Sequence, residues 1–254
     1  MACFLRTESI YLLKTSIKRF FITNYQQQKG KKVEKKKDLL EKGALVQRDG
    51  QTYAIVPHIP GGLCTPAMLR KIADVSDKYN AAAIKLTSAA RVAIVGLKEE
   101  DLDNVWKELE LSPGAAVGLC VRSIKFCPGT TFCKLGKQDA VGLGVKLDEL
   151  YHGTKMPSKF KIGISGCRNA CAESWIKDLG LIGEKKGWKV LAGGNAASKP
   201  AIAGVIADGL DTDETLALIG RIVERYQQHT KAVRLGTVIE EVGLEQFKKD
   251  VGAS

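Results

Sequence analysis

The sequence predicts an α+β protein: a small β-α-β-β-α unit followed by a larger α/β domain. Three observations carry that reading. Three short strand patterns and two helical stripes alternate between residues 51 and 109. A Ser112-Pro113-Gly114 break follows. Glycine and cysteine then become dense around further apolar strand patterns. The 254 residues suffice for one sizeable unit or two small ones, and 44% hydrophobic with 26% charged side chains is an ordinary soluble composition. Neither wholesale disorder nor a disulfide scaffold fits it.

Taken in order, Met1 to Gln28 place Ile10, Leu13, Ile17 and Phe20 among Lys14, Lys18 and Arg19, a basic amphipathic pattern. Its uncharged stretches are too short to cross a bilayer and no small-residue cleavage site follows them, so neither a membrane span nor a secretory signal is expected. Lys29 to Lys37 reads as a solvated, charged linker, and residues 1–43 together are expected to be a disordered basic extension of a cytoplasmic protein, with a mis-called upstream start or an organelle-type presequence over Met1 to Gln28, where Glu8 is the sole acid, as the alternatives. Of the formal charge of +11, +7 falls in the first fifty residues. The remainder keeps +4 and has no Lys/Arg run with interleaved aromatics, which argues against a nucleic-acid surface.

Thr52 to Val56 has the pattern of a strand. Thr65-Pro66 is a helix start, because the threonine hydroxyl can accept from a free backbone N–H and proline loses nothing at the first helical position. Met68, Leu69, Ile72, Ala73 and Val75 mark the helix face. Ala82 to Leu86 and Arg91 to Val95 follow as strands. Leu102, Val105, Trp106 and Leu109 then form a second stripe, with Glu99, Glu100 and Asp101 in its first turn. The order resembles a ferredoxin-like unit over residues 44–111, with one strand left to supply. Residues 112–254 form the second domain. Ile162 to Ser165, Trp188 to Leu191 and Ile202 to Ile206 are its strands. Thr212 to Gln227 is a helix with Leu216, Ile219, Val223 and Tyr226 on one stripe, and Val238 to Val251 is a helix pair around Gly243.

Chemistry concentrates in two cysteine pairs. Cys127 to Cys133 is C-x5-C with Pro128 and Gly129 in the loop, and Cys167 to Cys171 is C-x3-C, expected at the start of a helix directly after a strand. Four thiolates make a soft-ligand site. Buried apolar cysteines, structural zinc and disulfides are the alternatives, but zinc draws on tighter knuckles, and the wide loop favours a larger guest such as a [4Fe–4S] cube. Cys3, Cys64 and Cys120 have no partner at ligand spacing and read as ordinary buried or tail cysteines. The three histidines, His58, His152 and His229, form no metal motif and read as isolated surface or core residues. Gly142-Leu-Gly144 lacks the third glycine of a dinucleotide fingerprint.

The C-x5-C pair, a gap of some thirty residues and the C-x3-C pair, with Arg122 before the first and Lys159-Phe160-Lys161 before the second, resemble the sirohaem-containing sulfite and nitrite reductases, above all their small single-unit assimilatory-type form. The resemblance spans roughly residues 45–254. It implies that Cys127, Cys133, Cys167 and Cys171 hold a [4Fe–4S] cluster, with Cys171 also bridging to sirohaem. Arg91, Arg122, Lys159 and Lys161 are then the cations that meet substrate. Period-two spacing is expected to put both lysines on one strand face. Gly193, Gly194 and Asn195 are expected to offer backbone N–H groups to a sirohaem carboxylate, a plain hairpin turn being the alternative. The implied reaction is six-electron reduction of sulfite to sulfide. Nitrite reduction to ammonium is the second reading, and a haem-free [4Fe–4S] electron-transfer protein a third. Electrons would come from an external ferredoxin or flavoprotein, and a homo-oligomer would restore the paired repeats of larger relatives.

Overall fold

The computed structural model describes residues 35–253. The amphipathic pattern and Cys3 lie outside the described residues. The first unit comprises β1 (Ala44–Val46), β2 (Tyr53–Ile55), α1 (Pro66–Lys78), β3 (Ala83–Leu86), β4 (Val92–Leu97) and α2 (Leu102–Leu109). Its antiparallel sheet runs β1-β2-β4-β3. The outstanding strand is thus supplied from the N-terminal side, where β1 pairs with the free edge of β2.

Residues 35–43 correct the expectation of disorder. They form a 3-10 turn at Leu40–Lys42, and three hydrogen bonds tie them down. Lys36 N–H donates to Gly50 O (3.0 Å), the Tyr53 hydroxyl to Lys37 O (3.2 Å) and Trp106 Nε1 to Lys42 O (2.8 Å). The two aromatic donors are largely withdrawn from water and need acceptors, and this segment provides them. Helix α1 begins as the sequence dictates, with Thr65 Oγ1 accepting from Met68 N–H at 3.2 Å. Ile72 and Val75 of α1 and Leu102, Val105 and Leu109 of α2 pack on Tyr53, Ile55, Ile94 and Leu97. Each such buried aliphatic side chain contributes about 1.5–3 kcal/mol.

The second unit contains β5 (Lys125–Phe126), α3 (Gly129–Phe132), α4 (Ala140–Tyr151), β6 (Ile162–Ser165), β7 (Leu179–Glu184), β8 (Gly187–Ala192), β9 (Gly204–Leu210), α5 (Thr212–Gln227), α6 (Leu235–Val242) and α7 (Leu244–Asp250). One mixed sheet runs β5-β6-β7-β8-β9, with β5, β6 and β7 parallel and the rest antiparallel. Ile162, Ile164, Leu179 and Leu181 share one core with α4, α5, α6 and α7. Ile182 and Leu191 belong to a separate cluster with Ala170 and Trp175, on the side that carries the C-x3-C turn. Strand β7 and helix α4 have no counterpart in the sequence reading, because two glycines interrupt the apolar pattern of each. The last strand begins at Gly204 rather than Ile202, which is 71% exposed, and the final helix pair begins at Leu235.

The two units are stitched together where the sequence suggested a break. His58 N–H donates to Ser112 O (2.8 Å) and Gly114 N–H to Val56 O (2.7 Å). The Phe126 ring is wedged between Gly61 of the first unit and Gly144 of α4, so close that a Cβ at either glycine would meet it. Beside this seam His58 and His152 stack at 3.6 Å. His58 Nε2 lies 2.7 Å from Asp148 Oδ2, and Ala115 N–H donates to His152 Nε2 at 3.1 Å. Two of the three histidines read as isolated, His58 and His152, are therefore partners.

Burial, then His58 and Arg91, push the pKa of His152 below the ordinary histidine value of 6.5. A histidine whose folded pKa is depressed stabilises fully above its unfolded pKa, and that contribution is lost as pH falls through the window below it. The urea midpoint is expected to be lower at pH 5 than at pH 7.5. His152→Gln is expected to shrink that difference, whereas an unchanged difference would show that the titrating group lies elsewhere.

Candidate active site

Strand β6 ends at Ser165, and Gly166 turns the chain into Cys167. The turn packs on the C-x5-C loop without a gap. A Cβ at Gly166 would lie 2.7 Å from Gly129 Cα, and Lys137 N–H and Gln138 N–H both donate to Gly166 O. Gly166 N–H in turn donates to Cys127 Sγ at 3.1 Å. Beyond Cys167 the chain does not enter the expected helix. Ala170 and Glu173 adopt left-handed φ of 51° and 59°, and a 3-10 turn at Ser174–Ile176 continues the chain. Ser165 Oγ holds this turn by accepting from Ala172 N–H at 3.1 Å. Cys127, Cys133 and Cys167 are half-buried, Cys171 is exposed, and all four are free thiols. Among the described residues no three Cys, His, Asp or Glu side chains close on a single point, so this is not a preformed one-ion site.

The four predicted cations fall into one field. Arg91 is half-buried and its Nε donates to Ser123 Oγ at 2.8 Å. Burial first, and then Arg122, lower its pKa. Arg122 donates through Nη2 to Gly118 O at 2.9 Å, and its buried Nε has no partner. Lys159 and Lys161 flank Phe160, which bridges to Val121, instead of lying in a continuous strand. Phe160 is fully buried, so the alternation survives and the lysines share the opposite side. Burial, then Arg234, Lys177 and Lys159, push the Lys161 pKa down. Among the described residues, none of Arg91, Arg122, Lys159 and Lys161 has a carboxylate within 4.0 Å, whereas fifteen other ion pairs form in the same structure. Arg122 lowers Arg91, and Lys159 lowers Lys161, so these cations sit close together with no carboxylate to balance them.

Arg234 and Asp178 organise this field, and the sequence reading missed both. Asp178 is fully buried and receives Arg234 Nε at 2.7 Å, Nη2 at 2.6 Å and Lys161 N–H at 2.7 Å. No local motif marks either residue, because 56 positions separate them. Arg234 Nη1 also donates to Asn195 Oδ1 at 3.2 Å. The expected N–H cradle at Gly193, Gly194 and Asn195 needs correction. Gly193 N–H donates to Asp178 O and Asn195 N–H to Ala201 O, so both donors are spent. Gly194 is needed for close packing, since a Cβ there would come within 2.7 Å of the Lys177 and Trp175 carbonyl oxygens. The hairpin alternative describes this segment, and Asn195 contributes its side chain.

Comparison with known proteins accords with this geometry. A model described as "Nitrite and sulphite reductase 4Fe-4S domain" matches residues 117–254, and one described as "Nitrite/Sulfite reductase ferredoxin-like half domain" matches residues 45–112. The chain belongs to the nitrite and sulphite reductase family. Within that family it is 45% identical over 211 residues to an assimilatory-type sulfite reductase of Nitratidesulfovibrio vulgaris, covering 83% of this chain and 97% of that protein. It is 38% identical over 206 residues to a nitrite reductase [NAD(P)H] of Bacillus subtilis, covering 81% of this chain but 26% of that one. A dissimilatory sulfite reductase I structure shares the fold with a TM-score of 0.72 at 16% identity, over 80% of this chain and 69% of that one. The NirA protein of Mycobacterium tuberculosis does so with 0.70 at 18%, over 79% and 39%.

Removing one partner of a buried ion pair strands the other charge, at a cost of about 3–5 kcal/mol. Arg234→Met is therefore expected to lower unfolding free energy in denaturant titration by about that amount, and Arg234→Lys to recover little, since an ammonium cannot reproduce the two-pronged contact. A loss within about 0.5 kcal/mol, the scatter of neutral surface changes, would show that the pair organises nothing.

Proposed function

We propose that this protein reduces sulfite to sulfide, at a sirohaem coupled to a [4Fe–4S] cluster. The observation that carries the reading is the field of unpaired cations beside the C-x3-C turn. Lys161 is coupled to Lys177, whose side chain packs by Gly163 next to Ala172, the residue after Cys171. In this reading residues 44–111 form the ferredoxin-like unit and 112–254 the cofactor domain. Cys127, Cys133, Cys167 and Cys171 hold the cluster. Their soft donors, free state and touching loops fit it, and the exposure of Cys171 fits a thiolate shared with a second metal. The unpartnered Arg122 Nε and the surrounding cations fit a macrocycle rich in carboxylates. When bound, cluster and sirohaem supply the electrons and the iron that takes the central sulfur atom.

The chain's own side chains do the rest. Arg91 and Arg122 bind oxyanion oxygens with fixed guanidinium forks, and Ser123 and Gly118 O orient those forks. Lys161 holds a proton at Nζ that it yields more readily than a free lysine, because burial and its cationic neighbours disfavour the charged form. Protons are needed as each S–O bond breaks and oxygen leaves as water. Sulfite is preferred to nitrite because the relative of matching length is a sulfite reductase, whereas the Bacillus subtilis nitrite reductase shares only 26% of its length with this chain. A haem-free carrier would have no use for four unpaired cations. No helix among the described residues is long and apolar enough to cross a membrane, and a cytoplasmic location is part of the proposal.

Anaerobically purified protein is expected to contain acid-labile sulfide and to show a Soret band with a long-wavelength chlorin band. A colourless, sulfide-free protein would end the reading. With reduced methyl viologen, sulfite should give the higher kcat/KM of the two anions. Cys171→Ser is expected to abolish the coupled chromophore. Lys159→Ala with Lys161→Ala should retain both chromophores and lose about 10²–10³-fold in kcat. Lys161→Arg should remove the alkaline limb that a depressed lysine pKa places on kcat. Full activity in the double variant would show that these lysines do not meet substrate.

A further inference from the structure

Lys125, Gly163 and Gly180 are register partners across β5, β6 and β7, so the three lie in one row on one face of the sheet. Two of them carry no side chain, and the chain that leaves the C-x3-C turn runs through the lane this opens. A Cβ at Gly163 would come within 2.8 Å of Ala172 O and 2.7 Å of the Lys177 side chain, and one at Gly180 would collide with Ser174 O. Residues 172–177 are thereby pressed against the sheet. Lys125, the one side chain in the row, reaches them. Its Nζ lies 3.1 Å from Glu173 Oε1, while Lys177 Nζ lies 2.7 Å from Glu173 Oε2.

Glu173 stands two residues after Cys171, and Lys125 two before Cys127. One carboxylate thus joins the exit of the C-x3-C turn to the entry of the C-x5-C loop. The Glu173 backbone is held in the left-handed region, and so is that of Ala170 on the other side of Cys171. Residues other than glycine stay there only where their surroundings hold them. Here Glu173 N–H donates to Ala170 O at 2.7 Å, buried Ala172 gives its N–H to Ser165, and the Glu173 side chain takes both lysines. Cys171 is the exposed residue of this stretch. Lys177 is buried and Lys125 largely so, and among the described residues Glu173 is the one carboxylate within 4.0 Å of either. Lys177 also lies close enough to Lys161 to depress it. Without Glu173, two more uncompensated cations would join the oxyanion field.

We propose that Glu173 is a positioning residue for the reaction: its carboxylate clamps the turn that carries Cys171 to the loop that carries Cys127, and screens Lys125 and Lys177 from the oxyanion site. The proposal rests on the cluster reading above. Glu173 acts through its neighbours, on the cluster side through the backbone of the turn and on the substrate side through Lys177.

The test uses the full-length holoprotein, prepared anaerobically. Glu173→Gln keeps the shape of the side chain and removes its charge. It is expected to release cluster iron to a ferrous chelator about tenfold faster than the native protein or more, as loss of a supporting contact does at metal sites. The cluster midpoint potential should shift upward in a dye-mediated titration, because a negative charge has gone. With reduced methyl viologen, kcat should fall as the turn loosens, while KM for sulfite falls too because the anion meets more positive charge. Glu173→Gly separates the clamp from the backbone, since glycine adopts the left-handed conformation freely. A purely conformational role predicts native iron retention in that variant, whereas the clamp predicts release at least as fast as in Glu173→Gln. Lys125→Gln leaves the Lys177 pair in place and serves if the Glu173 variants do not fold; it should also release iron faster than the native protein. Native iron release, potential and sulfite KM in Glu173→Gln, native retention in Glu173→Gly or native release in Lys125→Gln would overturn the clamp alone. A native protein without labile sulfide would overturn the cluster reading and the clamp with it.

Discussion

The buried pair of Asp178 and Arg234 is the interaction on which the cofactor domain depends. A carboxylate with no solvent access is tolerable only where several donors reach it, and here the guanidinium fork and the Lys161 N–H converge on its two oxygens. The donors and their acceptor come from separate parts of the chain. Lys161 precedes β6, Asp178 precedes β7, and Arg234 stands immediately before α6. Gly193, just after β8, donates to the Asp178 carbonyl. Asp178 thus ties together the ends of three strands and a helix, β6 and α6 through its buried carboxylate and β8 through its main-chain carbonyl, and it does so where the cations gather.

The same pair explains how the field stays open to an anion. Arg234 is neutralised by Asp178 but still lies close enough to depress Lys161 and Arg122. Lys177 is paired with Glu173, which also takes Lys125. Some cations are therefore held in place by acids, and the four of the proposed site are left uncompensated. Arg91, Arg122 and Lys161 each carry a burial cost and the repulsion of a neighbouring cation, and an oxyanion would relieve that cost. A site that is unfavourable when empty is selective for a guest of opposite sign.

Position is enforced from the other side by the seam between units. Phe126, the residue before Cys127, fills the space left by Gly61 and Gly144, so the first thiol cannot move unless both units move. Arg91 comes from the first unit and Ser123, which orients it, from the second. The stacked pair of His58 and His152 lies at this seam, and His152 is electrostatically coupled to Arg91. The Arg91–Ser123 contact therefore exists only while the two units are docked.

The sequence by itself determined whatever depends on near neighbours. The Thr65-Pro66 cap, the α2 stripe and the α5 stripe were legible because their periodicity and capping are local physics. The paired cysteine spacing was legible because ligand loops have characteristic lengths. Strand β7 and helix α4 were not, because glycines interrupt the apolar pattern of each, and three of them, Gly144, Gly180 and Gly183, serve close approach by other segments. The disorder assigned to residues 35–43 failed for a related reason: Tyr53 and Trp106 need carbonyl acceptors, and only the folded chain shows which segment provides them. Tertiary structure alone decided that Gly193 and Asn195 had already spent their N–H groups, that two apparently isolated histidines stack, and that Arg234 pairs with the buried Asp178. A hydrogen bond or ion pair across many tens of residues leaves no mark on the sequence around either partner, since the fold, not the chain order, brings its two ends together.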